Sequence, residues 1–210
     1  MSLLLVLHAV RLAGMADDDA VARRFGLPPD DVAAALRDAH DRGWAQRAQF
    51  AETAGWWLTE SGRAENERLL AVELSAAGAG HAVAAVHEDF LPLNARLRNA
   101  VTRWQLRPAG DRLAPDDHTD ADWDDAVLDE LAALDRALSP LARRLATHLD
   151  RFSGYDTRFS HALTRAWRGG RPWVDASDVD SCHRVWFELH EDLVATLGID
   201  RGAGDAGATG

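Results

Sequence analysis

Hydrophobic residues recur at helical spacing through most of the chain, and turn residues divide this pattern into separate segments. The pattern predicts a first helix over residues 2–14 and a second over 17–26, each ending at a glycine that can adopt a left-handed conformation. A third helix is expected over 29–43, because its apolar residues repeat at spacings of three and four. Three short helices therefore open the chain.

Two runs of residues that favour strands follow the third helix. The runs "WAQRAQF" (44–50) and "WWLTE" (56–60) flank "AETAG", which is typical of a turn, and together they predict a small hairpin. The helical pattern returns over 59–74 and ends in a linker rich in glycine and alanine at 76–80. Three helices, a hairpin and a longer helix form the order of a winged helix-turn-helix, which we assign to residues 1–75.

Beyond the linker the pattern predicts only helices, so we expect an all-helical bundle over residues 81–198. Pro92 should kink or split the first of its helices, and Pro140 should interrupt the second. The segment "RPAGDRLAPDDHTDAD" is predicted to be a loop between them, and residues 199–210 a disordered tail. The expected fold class is mainly α, with a winged helix-turn-helix followed by a helical bundle.

Composition limits the possible partners and the compartment. The formal net charge of −11 repels nucleic acid and anionic membranes at long range, so any contact with DNA must be local. The single cysteine, Cys182, excludes an intramolecular disulfide and agrees with a reducing cytoplasm. The apolar run at residues 3–7 is too short to span a bilayer and has no basic residue before it, as a signal peptide would. We therefore expect a cytoplasmic protein.

With these elements in order, residues 2–74 resemble the DNA-binding domain of MarR-like and related winged-helix bacterial repressors. The resemblance rests on "VARRFGLPPDDVAAALRDAHDRGW" for the helix pair and on "WWLTESGRAE" for the second wing strand and the following helix. The later stretches "FLPLNARLRNAVTRWQ" and "DSCHRVWFELHEDLVATLG" look like a domain that accompanies such heads in regulators from high-GC bacteria. The resemblance implies a transcriptional regulator, a ligand-responsive repressor that binds operator DNA as a homodimer.

The resemblance also implies which residues contact DNA. In such a head the third helix lies in the major groove, and the wing reaches the backbone or the minor groove. On that helix an arginine can contact a guanine edge and two alanines can lie against thymine methyl groups, while other arginines contact phosphates. The residues assigned in this way are Arg23, Arg24, Ala33, Ala34, Arg37, Arg42, Arg47 and Arg63.

The charge of the predicted reading helix departs from this pattern. Asp30 and Asp31 occupy its first turn, where each stabilises the helix by roughly 0.3 to 1 kcal/mol but would face phosphates. Residues 1–62 hold six arginines against nine acidic residues, a net charge of −3, so we expect counterion release to contribute only modest affinity. Two hypotheses stay open: a DNA-binding head, or a protein-interaction adaptor whose degenerate head does not bind DNA.

The sequence offers little support for an enzyme. It contains no glycine loop for phosphate, no HExxH and no nucleophile elbow, so we expect no catalytic residue and no cofactor. Cys182 and His183 are adjacent on a predicted helix and point about 100° apart, so they cannot work as a nucleophile and base, and a buried structural cysteine is expected. Asp180 and His183 are suitably spaced for a metal, and the "DDHTD" run around His118 could add ligands from the loop. Such residues are usually solvated or hydrogen bonded, so we expect no metal.

Aromatic and histidine side chains of the predicted bundle could line an apolar cavity for a small-molecule effector. In particular, His183, Trp186 and His190 share a helix face at spacings of three and four. The alternative is that the aromatic residues simply fill the core of the bundle. The residues assigned to ligand binding are Trp104, His118, His183, Trp186 and His190.

Overall fold

The computed structural model describes residues 3–50 and 53–199 and shows a mainly helical chain with two small antiparallel hairpins, which confirms the expected mainly α class. Residues 51 and 52 of the predicted turn, and the predicted tail after Ile199, lie outside the described residues. The elements in chain order are α1 (Leu3–Ala13), α2 (Asp18–Phe25), α3 (Pro29–Asp41), β1 (Ala45–Phe50), β2 (Thr53–Leu58), α4 (Glu60–Ala76), α5 (Gly80–Gln105), β3 (Leu106–Ala109), β4 (Arg112–Pro115), α6 (Ala121–Ala146), a 3-10 turn (Asp150–Phe152), α7 (Tyr155–Trp167), α8 (Pro172–Asp175) and α9 (Cys182–Leu197).

The chain divides into two compact units. Unit 1 contains the described residues up to Gly80 together with those from Glu191 onward, and unit 2 is His81–His190. The first boundary falls at the end of the linker predicted at 76–80. The second falls inside α9, whereas the sequence assigns all of 81–198 to one domain. Apolar residues repeat at helical spacing on both sides of His190, so the sequence pattern of α9 gives no sign of the boundary between the two units.

The helices of unit 1 begin and end at residues that suit those positions. The Asp17 carboxylate accepts a hydrogen bond from the Ala20 backbone N–H at 2.7 Å and so caps α2, which ends at Gly26 with φ at +62°. Pro29 occupies the first position of α3, where its missing N–H costs nothing. Helices α1 to α3 and the hairpin share one core, formed by Val6, Leu7, Ala9, Val10, Ala16, Val21, Ala22, Val32, Leu36, Ala39, Ala45, Trp56 and Leu58.

Strands β1 and β2 pair antiparallel, with Arg47 opposite Trp56. Strand β2 starts at Thr53, so the last three residues of the predicted turn belong to the strand. A bridge that the sequence does not predict lies on the other side of β2, where Ala16 and Trp56 exchange two backbone hydrogen bonds of 3.0 and 2.7 Å. Gly55 permits this approach, because a Cβ there would lie 3.0 Å from the Ala16 carbonyl oxygen. The segment between α1 and α2 is thereby fixed to the hairpin.

The start of α4 is joined closely to the end of α3. Thr59 caps α4 by accepting a hydrogen bond from the Gly62 backbone N–H at 3.1 Å, and its hydroxyl donates to the Gly43 carbonyl at 2.7 Å. A Cβ on Gly62 would lie only 1.9 Å from the carbonyl oxygen of Trp44. The "LTESGR" part of the stretch "WWLTESGRAE" therefore has a physical basis: a threonine cap followed by a glycine where two backbone segments touch.

A buried polar pair holds the end of α9 within unit 1. His8 Nε2 on α1 lies 3.0 Å from Asp192 Oδ1 on α9, and both side chains are fully buried. The Thr196 hydroxyl donates to the Asp192 backbone carbonyl at 2.6 Å and also lies 3.2 Å from the same carboxylate oxygen. Arg11, one turn after His8, donates to Glu191 at 2.9 Å. Ala195 also packs against apolar residues of α1 and α4, so both polar and apolar contacts hold the last turns of α9 in unit 1.

Two helices of unit 2 continue through prolines, so the split allowed at Pro92 and the interruption expected at Pro140 do not occur. Helix α5 runs through Pro92 and α6 through Pro140, each for 26 residues, so neither helix is split. A proline inside a helix removes the hydrogen bond to the carbonyl four residues earlier. Those carbonyls belong to Glu88 and Arg136, which are both exposed and can be hydrated. Packing of the apolar faces of α5 and α6 offsets the remaining cost.

The predicted loop between these helices contains a second hairpin. Strands β3 and β4 pair antiparallel around a turn at Gly110, whose φ is +65°, so the expectation of no strand beyond the linker was wrong. Each strand has four residues and is largely exposed, and so it carries no alternating apolar pattern that would reveal it. The short α8 was also missed, because its four residues are too few to show a helical repeat even though Val174 is buried.

Unit 2 is built around aromatic side chains, with Phe90, Phe152, Tyr155, Phe159 and Trp186 fully or almost fully buried. Within the part of the chain that the structure describes, no single helix has both the length and the apolar character needed to cross a membrane. Helices α4 and α5 meet that criterion only when taken together across the bend between them, a composition that core helices also reach.

Replacing Gly62 by alanine is expected to lower the free energy of unfolding by about 1–3 kcal/mol, because the new Cβ must displace the backbone at Trp44. Gly80→Ala is the matched control, since a Cβ there meets no atom within 4 Å and the variant should change stability by less than about 1 kcal/mol. Urea unfolding followed by circular dichroism measures both values. Equal effects of the two substitutions would contradict the close approach at Gly62.

Asp192→Ala should destabilise the protein by about 3–5 kcal/mol, because it leaves His8 buried without its carboxylate. Asp89→Ala provides the comparison: it removes an ion pair of similar length, 2.7 Å to Arg144, in which both side chains are about half exposed. An exposed pair of this kind contributes only about 0–1 kcal/mol. Calorimetric melting of the two variants should separate them clearly, and similar melting temperatures would show that the buried pair is not important for stability.

Candidate nucleic-acid interface

Helices α2 and α3 are joined by a tight turn that fixes how α3 presents its outer face. The N–H of Leu27 donates to the Ala22 carbonyl at 2.9 Å across the left-handed Gly26, which ends α2. The inner face of α3 is held by Val32, Leu36 and Ala39, all with no exposed surface. The other side of the helix faces away from the core of unit 1.

The outer face of α3 carries the residues predicted to read bases. Asp30, Ala34 and Arg37 are exposed and follow one another at spacings of four and three, so they form one stripe along the helix. Ala33 is only half-exposed, which makes Ala34 the more accessible of the two alanines. Asp31 is also exposed beside the first turn. The structure thus brings Arg37 and Ala34 together, with both aspartates next to them.

The arginines assigned to phosphate contacts differ in what they already bind. Arg23 on α2 and Arg63 on α4 are exposed, and Arg47 on β1 is exposed with its guanidinium 5.9 Å over the Trp56 ring. By contrast, Arg42 lies 2.9 Å from Asp38 and stacks over the Trp44 ring at 4.9 Å. Arg24 is half-buried and lies 4.5 Å over the Phe25 ring. Arg24 and Arg42 therefore have competing contacts within unit 1.

The electrostatic character of this surface is mixed. The exposed charged residues of α3 and its C-terminal cap are four aspartates and two arginines, a net charge of −2. On α4, hydrogen bonds from Arg68 hold the pKa of Glu65 below its usual value, and the charge of Arg42 lowers it further. Glu65 therefore remains negative at neutral pH, and the surface is not a continuous basic patch.

The hairpin exposes an aromatic side chain that the sequence analysis did not single out. In the pair Trp56–Trp57, the first indole is 8% exposed and its Nε1 donates to Asp18 at 2.8 Å, whereas the second is 41% exposed. Alternation of side chains along a strand explains the difference, and it could have been read from the sequence. An exposed indole on a hairpin is a suitable contact for a sugar-phosphate backbone or for another protein.

The five residues assigned to ligand binding do not form one site in unit 2. Trp104 and His118 are neighbours, with ring centroids 4.4 Å apart. Trp186 and His190 instead lie against Phe90, at centroid distances of 4.9 and 5.8 Å. Because Trp104 and Phe90 are fourteen residues apart on α5, about 21 Å of helix separates the two groups. His183 is half-buried on the first turn of α9.

Trp186 has the environment of a core residue. It is 1% exposed, its Nε1 donates to Asn94 at 3.1 Å, and its ring packs between Phe90 and Phe159. This is the packing role named above as the alternative to ligand binding. A cavity of about 300 Å³ lies in unit 1 instead, and none of the five residues lines it. Its walls are formed by Glu67, Ala71, Leu74, Ser75, Gly78, Gly80, Ala195, Thr196, Leu197 and Gly198.

Cys182 is fully buried, as expected for a structural cysteine. Burial raises the pKa of its thiol to about 12, and the negative charge of Asp135 acts in the same direction. The reactive thiolate is therefore almost absent at neutral pH. This environment does not suit a nucleophile.

Comparisons with known proteins identify no relative of the chain. No family model, no curated protein and no solved structure matches it. What unit 1 binds must therefore be inferred from its own residues and their arrangement.

Proposed function

We propose that the protein is a DNA-binding transcriptional regulator in which unit 1 is a winged helix-turn-helix head. The observation that carries this proposal is the form of α3. It follows α2 through a left-handed glycine turn, packs by one face and leaves Ala34 and Arg37 exposed on the other. The β1–β2 hairpin comes next in the chain and supplies an exposed arginine, Arg47.

In this proposal α3 lies in the major groove. Arg37 has the donors to bind a guanine edge, and Ala34, with the less accessible Ala33, can contact thymine methyl groups. The residue before α3 is Pro28, which has no side-chain group to cap the helix, so the first N–H groups of α3 are available to a phosphate. Hydrogen bonds from these N–H groups to a DNA phosphate, together with the positive end of the helix dipole, would offset part of the repulsion between that phosphate and the carboxylates of Asp30 and Asp31.

Contacts with the DNA backbone fall mainly to the exposed arginines Arg23, Arg47 and Arg63. Arg42 and Arg24 would have to exchange their present contacts for phosphate, so we expect them to contribute less. With few phosphate contacts, affinity should fall with salt less steeply than it does for strongly basic heads. Specificity then depends more on the bases that α3 reads than on general attraction to the polyanion.

A homodimer would place two such heads on a palindromic site, as dimeric regulators of this architecture do. The candidate binding site for a small-molecule effector is the cavity in unit 1 between α4 and the last turns of α9. Its volume of about 300 Å³ is at the small end of the range for ligand sites. An effector that prefers one position of α4 could shift the arrangement of the two heads.

The second candidate function is a protein-interaction adaptor. It is favoured by the net charge of −2 on the exposed face of α3 and by the exposed indole of Trp57. An acidic helix beside an aromatic side chain suits a basic protein surface better than it suits DNA. The two functions differ in what removal of Arg37 should do.

Arg37→Ala should weaken binding to the protein's own upstream DNA by about 5- to 150-fold, because it removes a base contact of about 1–3 kcal/mol. The control is Arg98→Ala, which removes an exposed arginine from α5 and leaves the net charge of the variants equal. Mobility shift at low salt measures both. Absence of binding by the wild-type protein, or equal losses in the two variants, would reject groove reading and favour the adaptor.

Asp30→Asn with Asp31→Asn should raise affinity for random DNA more than affinity for a selected operator, because the aspartates repel any phosphate backbone. Asp125→Asn with Asp129→Asn makes the same charge change at two exposed positions of α6. Fluorescence anisotropy with both DNA probes gives the ratio of the two affinities for each variant. Equal gains on operator and random DNA would mean that the aspartates impose only a uniform penalty.

A further inference from the structure

The loop after β4 and the first turn of α6 bring three metal-ligand side chains together in unit 2. His118 Nδ1 lies 3.0 Å from Asp124 Oδ1 and 3.9 Å from Asp116 Oδ2. One ligand atom from each of the three residues lies within 4.8 Å of the others. Two carboxylates and one imidazole thus point at a common volume.

One of these carboxylates is buried without full compensation. The side chain of Asp116 has no exposed surface, and among the described residues its Oδ2 has no hydrogen-bond partner. Its other oxygen accepts from the His118 backbone N–H at 3.1 Å. Arg107 lies 3.8 Å from that same oxygen and donates to Asp120 at 2.9 Å, so it does not serve Oδ2. A buried carboxylate oxygen with no partner is costly unless a cation or a proton reaches it.

We propose that Asp116, His118 and Asp124 bind a divalent transition-metal cation of the Zn²⁺ type. With bonds of about 2.1 Å in a tetrahedral arrangement, neighbouring ligand atoms lie about 3.4 Å apart. The two separations from His118 Nδ1, 3.0 and 3.9 Å, bracket this value, so small side-chain movements complete the site. One imidazole nitrogen favours Zn²⁺ and its neighbours over Mg²⁺ and Ca²⁺, which prefer oxygen alone.

The surroundings hold the imidazole in place for this role. The His118 backbone is left-handed, with φ at +58°, and its carbonyl accepts a hydrogen bond from Arg171 at 2.9 Å. The Trp104 ring lies against the imidazole, with centroids 4.4 Å apart. The neighbouring aspartates bind other groups: Asp117 accepts a hydrogen bond from the Thr119 hydroxyl, and Asp120 accepts one from the Trp123 backbone N–H at the start of α6. Three protein ligands leave a fourth position for water or an anionic group.

The full-length protein, treated with chelator and dialysed, tests the proposal by titration calorimetry with Zn²⁺ and by visible absorption with Co²⁺. We expect one ion per chain at this site, with the Co²⁺ bands of a nitrogen and oxygen ligand set. His118→Asn should abolish that ion, since asparagine tolerates the left-handed backbone but removes the imidazole. Asp116→Asn and Asp124→Asn should each weaken binding by at least tenfold.

His148→Ala and Asp111→Asn are the matched controls, because both residues are exposed and lie outside the cluster. They should leave the stoichiometry and the affinity unchanged. Quenching of tryptophan fluorescence by Co²⁺ gives a second readout, which should fall in Trp104→Phe because that indole lies beside His118. Circular dichroism of each variant verifies that it is folded.

Several results would overturn the proposal. Zn²⁺ binding that survives His118→Asn and Asp116→Asn unchanged would place the ion elsewhere. Binding of Mg²⁺ or Ca²⁺ in preference to Zn²⁺ would contradict a role for the imidazole. Failure of the wild-type chain to bind Zn²⁺ or Co²⁺ would mean that the cluster is only a hydrogen-bonded contact between His118 and Asp124. Each of these outcomes leaves the proposed DNA-binding function of unit 1 untouched.

Discussion

The contact between His8 and Asp192 is the constraint on which the rest of unit 1 depends. Both side chains are fully buried, so any arrangement that separates them breaks a 3.0 Å polar contact that water cannot replace in the core. Arg11 and Glu191 repeat the pattern one turn away, with less than a tenth of either side chain exposed. These pairs fix the position of the end of α9 against α1, and with it one wall of the cavity beside α4. Helix α1 also packs against α2 and α3, so its position helps to set the face that α3 exposes.

The same residue type, aspartate, has opposite consequences in the two units because its exposure differs. Asp30 and Asp31 are exposed, so water solvates them, and they cost the fold little while they limit what α3 can approach. Asp116 is buried, so its charge must be compensated inside unit 2, and that need identifies the metal cluster. A net charge of −11 therefore says little about binding until each carboxylate is located. In both proposals, the acidic residues decide which cations or polyanions the chain accepts.

The elements with strong local signals could be predicted from the sequence. Helices α1 to α4 were placed within two or three residues, because glycines, Pro29 and the Thr59 cap mark their ends. The β3–β4 hairpin was missed because it is largely exposed, and the helices were not broken at Pro92 and Pro140 because packing holds α5 and α6 together. Long-range geometry was beyond the sequence: the bridge at Ala16, the change of unit within α9 and the proximity of Asp124 to Asp116 all join residues with no shared pattern. The "DDHTD" run was noticed as a possible source of metal ligands, but the third ligand follows it on α6.

The place of Asp192 in the chain has a consequence for how the protein is made. Unit 1 needs residues from both sides of unit 2, so a ribosome completes all of His81–His190 before it adds the carboxylate that pairs with His8. Until then His8 lacks the carboxylate that lies 3.0 Å from it in the folded chain, and Leu4 and Leu70 lack their packing against Ala195. Unit 2 is one continuous segment of the chain, whereas unit 1 is assembled from two. Unit 1 can therefore be completed only after all of unit 2 has been synthesised.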